Sequence, residues 1–288
     1  MKLGEVLEKT IQFFKDKGFQ TARLDSELLI SSALGFERIQ LYLKFDQPLK
    51  EEEMQRCRDL VRRRSSGEPV TYILGEKGFY GSNFFVSKGV LIPRPETEII
   101  VDHALRWIEQ RPNQEVQVAD LGCGTGCIGI SILLRSTNSL LTAFDFSEEA
   151  IKCTRRNTEQ HNLIDRVKIF KTDLQDAIQI SQINNTFDVI VANPPYISAS
   201  DPLIDKHVKE FEPGSALFSD ENGFKDIRLW AQSFIPKLNS GGIMLFEIGY
   251  NQGQQAKDLF EGFKIFSQVR LIKDLAGHDR VIEGVMNG

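Results

Sequence analysis

From Val116 onward, short apolar runs alternate with segments of helical spacing, and this alternation restricts the chain more than any other feature. Val116-Gln117-Val118-Ala119-Asp120 reads as a strand, and Ile128 to Leu134 has the character of the helix after it. Leu140 to Phe144, Val167 to Phe170, Phe187 to Ala192 and Gly242 to Ile248 read as four further strands. Ser147-Glu148-Glu149 opens one intervening helix with a capping serine and an acidic first turn. Strands that alternate with helices predict a parallel sheet covered on both faces. The sequence holds no internal repeat and no low-complexity tract.

Ligands of such sheets sit beyond the carboxyl ends of the strands. The first turn there is Asp120-Leu121-Gly122-Cys123-Gly124-Thr125-Gly126, whose glycines permit a tight bend and close approach to a ligand. A dinucleotide fingerprint would need its third glycine at the sixth position, which is Cys127 here. Gly-x-Gly-x-Gly behind an acid is similar instead to the pattern of class I methyltransferases. Asp120 is expected to accept from the ammonium end of a cationic amino acid, through water or a backbone turn. That suits S-adenosylmethionine better than a pyrophosphate. Asp145 ends the next strand, where an acid can accept from both ribose hydroxyls. Cys123 and Cys127 read as small buried side chains beside the cofactor, and no metal is expected there, because ligands are too few.

Phe187 to Ala192 runs straight into Asn193-Pro194-Pro195-Tyr196. Two prolines fix φ and remove two backbone donors, so the local carbonyls remain as rigid acceptors. The Asn193 side-chain oxygen is another acceptor, and together they can take both N–H bonds of a planar NH2 group. Tyr196 can lie flat against such a group. An amide nitrogen is a poor nucleophile, and holding it in line with an electrophilic methyl is the main available lever. Acceptors also stabilise the nitrogen as it becomes cationic. No general base is required before transfer.

Residues 1–70 read as a small bundle of four or five helices, with apolar positions at helical spacing and Gly18 and Gly35 as stops. Asp25 is expected to cap the helix carrying Leu28 and Leu29, with Leu24 as its staple. Residues 71–90 turn β-type, from Thr71-Tyr72-Ile73-Leu74 to Phe84-Phe85-Val86, and are expected to form a hairpin linker. The catalytic domain is then 91–288. With 35 basic and 40 acidic residues, the net charge of −5 argues against a dedicated nucleic-acid binder. Arg62-Arg63-Arg64 reads as a solvated helix face. Four cysteines in no disulfide or zinc spacing point to reduced thiols and a cytoplasmic protein. No window has the length of a membrane span, and a monomer is expected.

The chain resembles the release factor glutamine methyltransferases, the PrmC/HemK family, over essentially its whole length. Besides the Asn193 turn, the similar segments are Arg23 to Leu29, Gly67 to Gly75, Phe79-Tyr80-Gly81, and Val90 to Glu98 with its Pro93-Arg94-Pro95-Glu96. Further on they are Glu212-Pro213 with Ala216-Leu217, Glu247-Ile248-Gly249-Tyr250 with Gln252-Gly253, and Asp274 to Gly277 with Arg280. The resemblance implies a class I, Rossmann-like S-adenosylmethionine-dependent methyltransferase domain preceded by a helical bundle and a β-hairpin linker. It implies methylation of the Gly-Gly-Gln glutamine of class I peptide-chain release factors, giving N5-methylglutamine. By position, Asp120, Gly122, Cys123, Gly124, Thr125, Gly126 and Asp145 bind the cofactor, and Asp173 and Leu174 flank its adenine. Asn193, next to the cofactor, holds the glutamine amide with Pro194, Pro195 and Tyr196. Many members carry an aromatic residue where this chain has Leu174. Arg94 and Glu96 are candidates for organising the site, and the helical bundle for recognising the release factor. The alternative is an amino-group methyltransferase of N6-adenine or N4-cytosine in nucleic acid. Its chemistry is similar, but it would flip its base and usually carry a basic recognition surface.

Overall fold

Helical spacing in the first part of the chain becomes five helices: α1 (Leu3–Asp16), α2 (Ala22–Leu34), α3 (Arg38–Leu43), α4 (Glu51–Ser65) and α5 (Val70–Leu74). The structure, a computed structural model, describes residues 1–202 and 204–288. It divides into two units, Met1–Glu76 and Lys77–Gly288. In the first, Leu3, Leu7, Ile30, Leu41 and Cys57 form one apolar cluster, and Phe14, Leu29 and Ile73 form another. Gly35 caps α2 with φ +67°, as a helix stop should. Asp25 is not the cap: α2 starts at Ala22, and the Asp25 carboxylate takes a 2.8 Å bond from Arg64 Nε instead. Leu24 is no staple either, being 42% exposed. Thr71–Leu74 is helical rather than β-type. Tyr72 and Ile73 are buried, and Gly75 stops the single turn at φ +76°, so tertiary packing overrides β propensity.

A hairpin follows, β1 (Glu76–Phe79) and β2 (Ser82–Phe85). Its two-residue turn, Tyr80-Gly81, has positive φ at both positions, the geometry that matches strand twist. Glu98 accepts from the Tyr80 N–H, and Asp102 from its hydroxyl. Phe79 and Phe84 enter the main core of the second unit, so the hairpin is part of that unit and not a separate linker.

The second unit continues with α6 (Glu98–Glu109), β3 (Val116–Leu121), α7 (Cys127–Arg135), β4 (Ser139–Asp145), α8 (Glu148–Gln160), β5 (Val167–Lys171), α9 (Ala177–Ser181) and β6 (Phe187–Ala192). Short helical pieces α10 (Lys206–Phe211), α11 (Gly214–Leu217) and α12 (Asp220–Gly223) lead to α13 (Lys225–Phe234) and β7 (Leu238–Glu247). The chain closes with α14 (Gly253–Gly262), β8 (Phe266–Lys273) and β9 (Asp279–Met286). The sheet order is β5-β4-β3-β6-β7-β9-β8. The five expected strands are parallel, while β9 runs antiparallel between β7 and β8; β8 and β9 are the two strands the sequence reading did not include.

Alternation along the strands divides the core into two layers. Val189 and Val191 face Ile100, Ala104 and Ile130 on one side. Ile190 and Ala192 face Ile227, Phe234 and Phe260 on the other. All six residues of β6 are buried, as expected of a central parallel strand.

Candidate active site

Register aligns the ends of four neighbouring strands. Leu121 pairs with Phe144 and with Ala192, and Ala192 pairs with Phe246. The next residue in each strand direction is Gly122, Asp145, Asn193 and Glu247. These four therefore stand side by side at the carboxyl edge of the sheet.

A cavity of about 290 Å³ opens over this edge. Gly122, Gly124, Asp145, Asp173, Leu174, Asn193 and Pro195 line it, with Gly89 to Leu91, Ser215, Ala216 and Trp230 completing the wall. Asp120, Cys123, Thr125, Gly126, Pro194 and Tyr196 do not line it, though each neighbours a lining residue in sequence or in the turn.

The glycine turn is required by its backbone. Gly122, Gly124 and Gly126 have φ of +66°, +56° and +76°. A Cβ on Gly122 would stand 2.7 Å from the Trp230 ring, and one on Gly126 would stand 2.9 Å from Thr154 Cγ2. At Gly124, which lines the cavity, a Cβ would stand in ordinary contact, 3.7 Å from Val90 Cγ1. Asn157 ties the turn down from α8: its Nδ2 donates to Thr125 O at 2.8 Å and Phe85 O at 2.9 Å, and its Oδ1 accepts from Phe85 N.

The two acids differ. Asp145 accepts from Gly124 N at 3.0 Å on one oxygen and from Ser147 N at 2.9 Å on the other. Each oxygen keeps a further lone pair for a hydroxyl. Burial pushes its carboxyl up, and the backbone donors oppose this. Asp120 is fully buried. Its Oδ2 accepts from Gly129 N at 3.0 Å and its Oδ1 has no partner. Burial pushes this carboxyl up to about 7. Asp120 thus braces the start of α7 and offers no atom to the cavity surface.

Leu174 is 4% exposed and gives the wall an apolar side. Phe146, half exposed beside Asp145, is one of the aromatic residues at this wall, and the sequence reading passed over it. Its position directly after Asp145 was the available signal. Trp230 was also missed, and its indole N–H is buried without a partner.

Behind Asn193 lies a polar chain. Asn193 Nδ2 donates to Thr97 Oγ1 at 3.2 Å, and Thr97 Oγ1 donates to Glu247 Oε2 at 2.6 Å. The Tyr196 hydroxyl donates to Glu247 Oε1 at 2.9 Å. Burial pushes the Glu247 carboxyl up, while both hydroxyls and the charge of Arg280 pull it down. Burial and the adjacent Glu247 raise the Tyr196 phenol well above its usual range. Gln252 Nε2 holds Tyr196 O at 3.0 Å, which fixes the far end of the turn. Arg94 pairs with the buried carboxylate of Glu212, which also accepts from Ile92 N at 3.1 Å. That clamp joins the chain next to Leu91 to the chain next to Pro213, and Leu91 and Pro213 both line the cavity. Glu96 is exposed. Among the described residues no three His, Cys, Asp or Glu side chains gather as a metal site, and no helix is long and apolar enough to cross a membrane. The four cysteines are buried and unpaired.

This geometry agrees with comparisons to known proteins. Residues 5–75 match the PrmC N-terminal domain and residues 101–214 match the methyltransferase small domain. A release factor glutamine methyltransferase of Rhodopirellula baltica is 39% identical over 280 residues, covering 96% of this chain and 94% of that protein. The chain belongs to the release factor glutamine methyltransferase family. Further family members, from Geobacter sulfurreducens and Chlorobaculum tepidum, are 37% and 35% identical, covering 98% and 96% of this chain and 96% and 94% of their own lengths. In this release factor glutamine methyltransferase family member, the two domain matches fall one in each unit.

Proposed function

We propose that this chain transfers a methyl group from S-adenosylmethionine to the side-chain amide nitrogen of the Gly-Gly-Gln glutamine in class I peptide-chain release factors. The observation that carries this is Asn193, at the end of β6 and in the wall of the same cavity as Gly122 and Asp145. An acceptor for NH2 and a cradle for a nucleoside share one cleft.

The residues present suit that cofactor. Asp145 has lone pairs for two ribose hydroxyls, Leu174 and Phe146 offer apolar flanks for adenine beside Asp173, and Gly122 and Gly124 line the cavity without side chains. Cys123, Thr125, Gly126 and Asp120 shape the turn from behind. When bound, S-adenosylmethionine supplies an electrophilic methyl on a sulfonium centre. Asn193 Oδ1 and the carbonyls of the Pro194-Pro195 turn accept from the acceptor NH2, orienting it and favouring positive charge on its nitrogen. Tyr196, held through Glu247 and Gln252, supports that turn. The proton leaves after transfer.

The helical unit is assigned to docking the release factor. The protein is taken as a cytoplasmic monomer that does not itself bind nucleic acid. In keeping with this, Arg63 and Arg64 pair within their own unit, with Glu68 and Asp25, so they do not form a free basic strip.

The test is mass spectrometry of a purified release factor incubated with the enzyme and S-adenosylmethionine. One added methyl on the Gly-Gly-Gln glutamine is expected. Asn193→Ala is expected to keep cofactor binding and lose roughly 100-fold or more in single-turnover rate. Methyl transfer to DNA but not to release factor, or a near-normal rate for Asn193→Ala, would overturn the proposal.

A further inference from the structure

An asparagine can hold an NH2 group in only one of its two amide orientations. With Oδ1 toward the cleft it accepts; turned over, it sets a donor against a donor. The partners behind Asn193 determine which orientation is present. Both Glu247 oxygens take hydroxyl donors, Oε2 from Thr97 and Oε1 from Tyr196, so the group is the acceptor of this chain. Thr97 therefore gives its single hydroxyl proton to Glu247 Oε2, at 2.6 Å. What remains on Thr97 Oγ1 is lone-pair density, and it takes an N–H from Asn193 Nδ2 at 3.2 Å. Tyr196 occupies the second carboxylate oxygen at 2.9 Å. Thr97 is 2% exposed and Glu247 is 1% exposed, so the chain is enclosed by protein. Asn193 lines the cavity, and with Nδ2 committed, Oδ1 is the end left to the cleft.

We propose that Glu247, acting through Thr97, is the positioning residue that keeps the Asn193 carbonyl oxygen turned toward the substrate amide. This rests on the reading of Asn193 as the group that holds that amide. Neither Thr97 nor Glu247 lines the cavity, and neither touches substrate or cofactor in this scheme. Their part is to set the direction of hydrogen bonds. Glu247→Gln keeps the shape but brings in a donor. If the new NH2 faces Thr97, the threonine hydroxyl accepts from it and turns its proton toward Asn193. Asn193 must then turn over and present its own NH2 to the cleft.

The experiment measures single-turnover methylation of purified release factor, with cofactor affinity measured separately, for wild type, Thr97→Val, Thr97→Ser, Glu247→Gln and the pair Thr97→Val with Glu247→Gln. Thr97→Val and Glu247→Gln are each expected to slow transfer roughly 10- to 100-fold at saturating substrate, the scale of a mispositioned reacting group. Cofactor Kd should stay within about threefold, because neither Thr97 nor Glu247 lines the cavity. Thr97→Ser restores the hydroxyl and should recover most of the lost rate. In the paired variant the route through Thr97 is already gone, so the combined loss should fall well short of the product of the two single losses. Multiplicative losses, no rescue by serine, or a wild-type rate for Thr97→Val would each overturn the assignment. If wild type itself leaves the release factor unmethylated, the reading of function fails instead, and the two failures stay separate.

Discussion

At the scale of single residues, Asp120 shows how far identity alone can be read. Its place before the glycines suggested a ligand contact, yet its carboxylate is fully buried and binds Gly129 N. Sequence spacing reports where a residue stands on a strand. At a strand end, whether the side chain points into the cleft or under the turn depends on the turn's own path. Asp145 and Asn193 were legible because one ends and the other directly follows a buried strand, and both line the cleft. Thr97 was not, since its role depends on Glu247, 150 residues away in sequence. Asp120 also carries a pH signature. Its folded carboxyl is raised to about 7 from 3.8, so between these values the unfolded chain is ionised while the folded protein keeps a proton. Stability from this group is fully present below pH 3.8 and is lost as pH rises through 7. Asp120→Asn is neutral throughout and can keep the bond to Gly129. Its stability relative to wild type should therefore rise by roughly 3 kcal/mol between pH 5 and pH 8. Urea unfolding at the two pH values measures this, and parallel behaviour of the two proteins would contradict it.

At the scale of elements, the parallel strands were legible because burial on both faces gives unbroken apolar runs. The strands β8 and β9 were not. Ser267, Gln268, Arg270 and Lys273 interrupt β8, an edge strand with a wet side, and this pattern lacks the continuity that marks the centre of the sheet. The hairpin was found, but its integration was not, because Phe79 and Phe84 say only that they are apolar, not which core receives them. Asn157 is where this integration reaches the site. Three bonds from one buried side chain join β2 to the glycine turn. Asn157→Ala leaves a buried N–H and two carbonyls without this partner, a loss of about 2–4 kcal/mol. Since Thr125 O is among them, cofactor affinity should also fall, by roughly tenfold if a little over 1 kcal/mol of that loss reaches the bound state. Thermal unfolding and equilibrium binding check both parts. Lower stability with unchanged affinity would mean that Asn157 braces the hairpin alone.

At the scale of the molecule, the two units carry separate cores, and every residue lining the cavity falls within Lys77–Gly288. The net charge of −5 pointed away from nucleic acid, but it could not show how the basic residues are spent. In the arginine run Arg62 and Arg63 are exposed, as a solvated helix face requires, but Arg64 is 14% exposed against Asp25, and its guanidinium lies 4.1 Å from the Phe19 ring centre. A helix-surface pattern gives no warning of this, because an arginine stem packs on apolar surface as readily as it extends into water. The division predicts how activity separates. Residues 77–288 keep both core layers and the whole cofactor cradle, so the fragment should fold and bind S-adenosylmethionine within roughly threefold of the full chain. If the helical unit docks the release factor, its removal takes away recognition but leaves the reacting geometry intact. The fragment should then methylate a short Gly-Gly-Gln peptide about as fast as the full chain does, and a whole release factor much more slowly, through a raised KM with kcat largely kept. A fragment that methylates intact release factor with an unchanged KM would remove the docking role from residues 1–76. A fragment that binds cofactor but fails on the peptide as well would place part of the acceptor site in the helical unit.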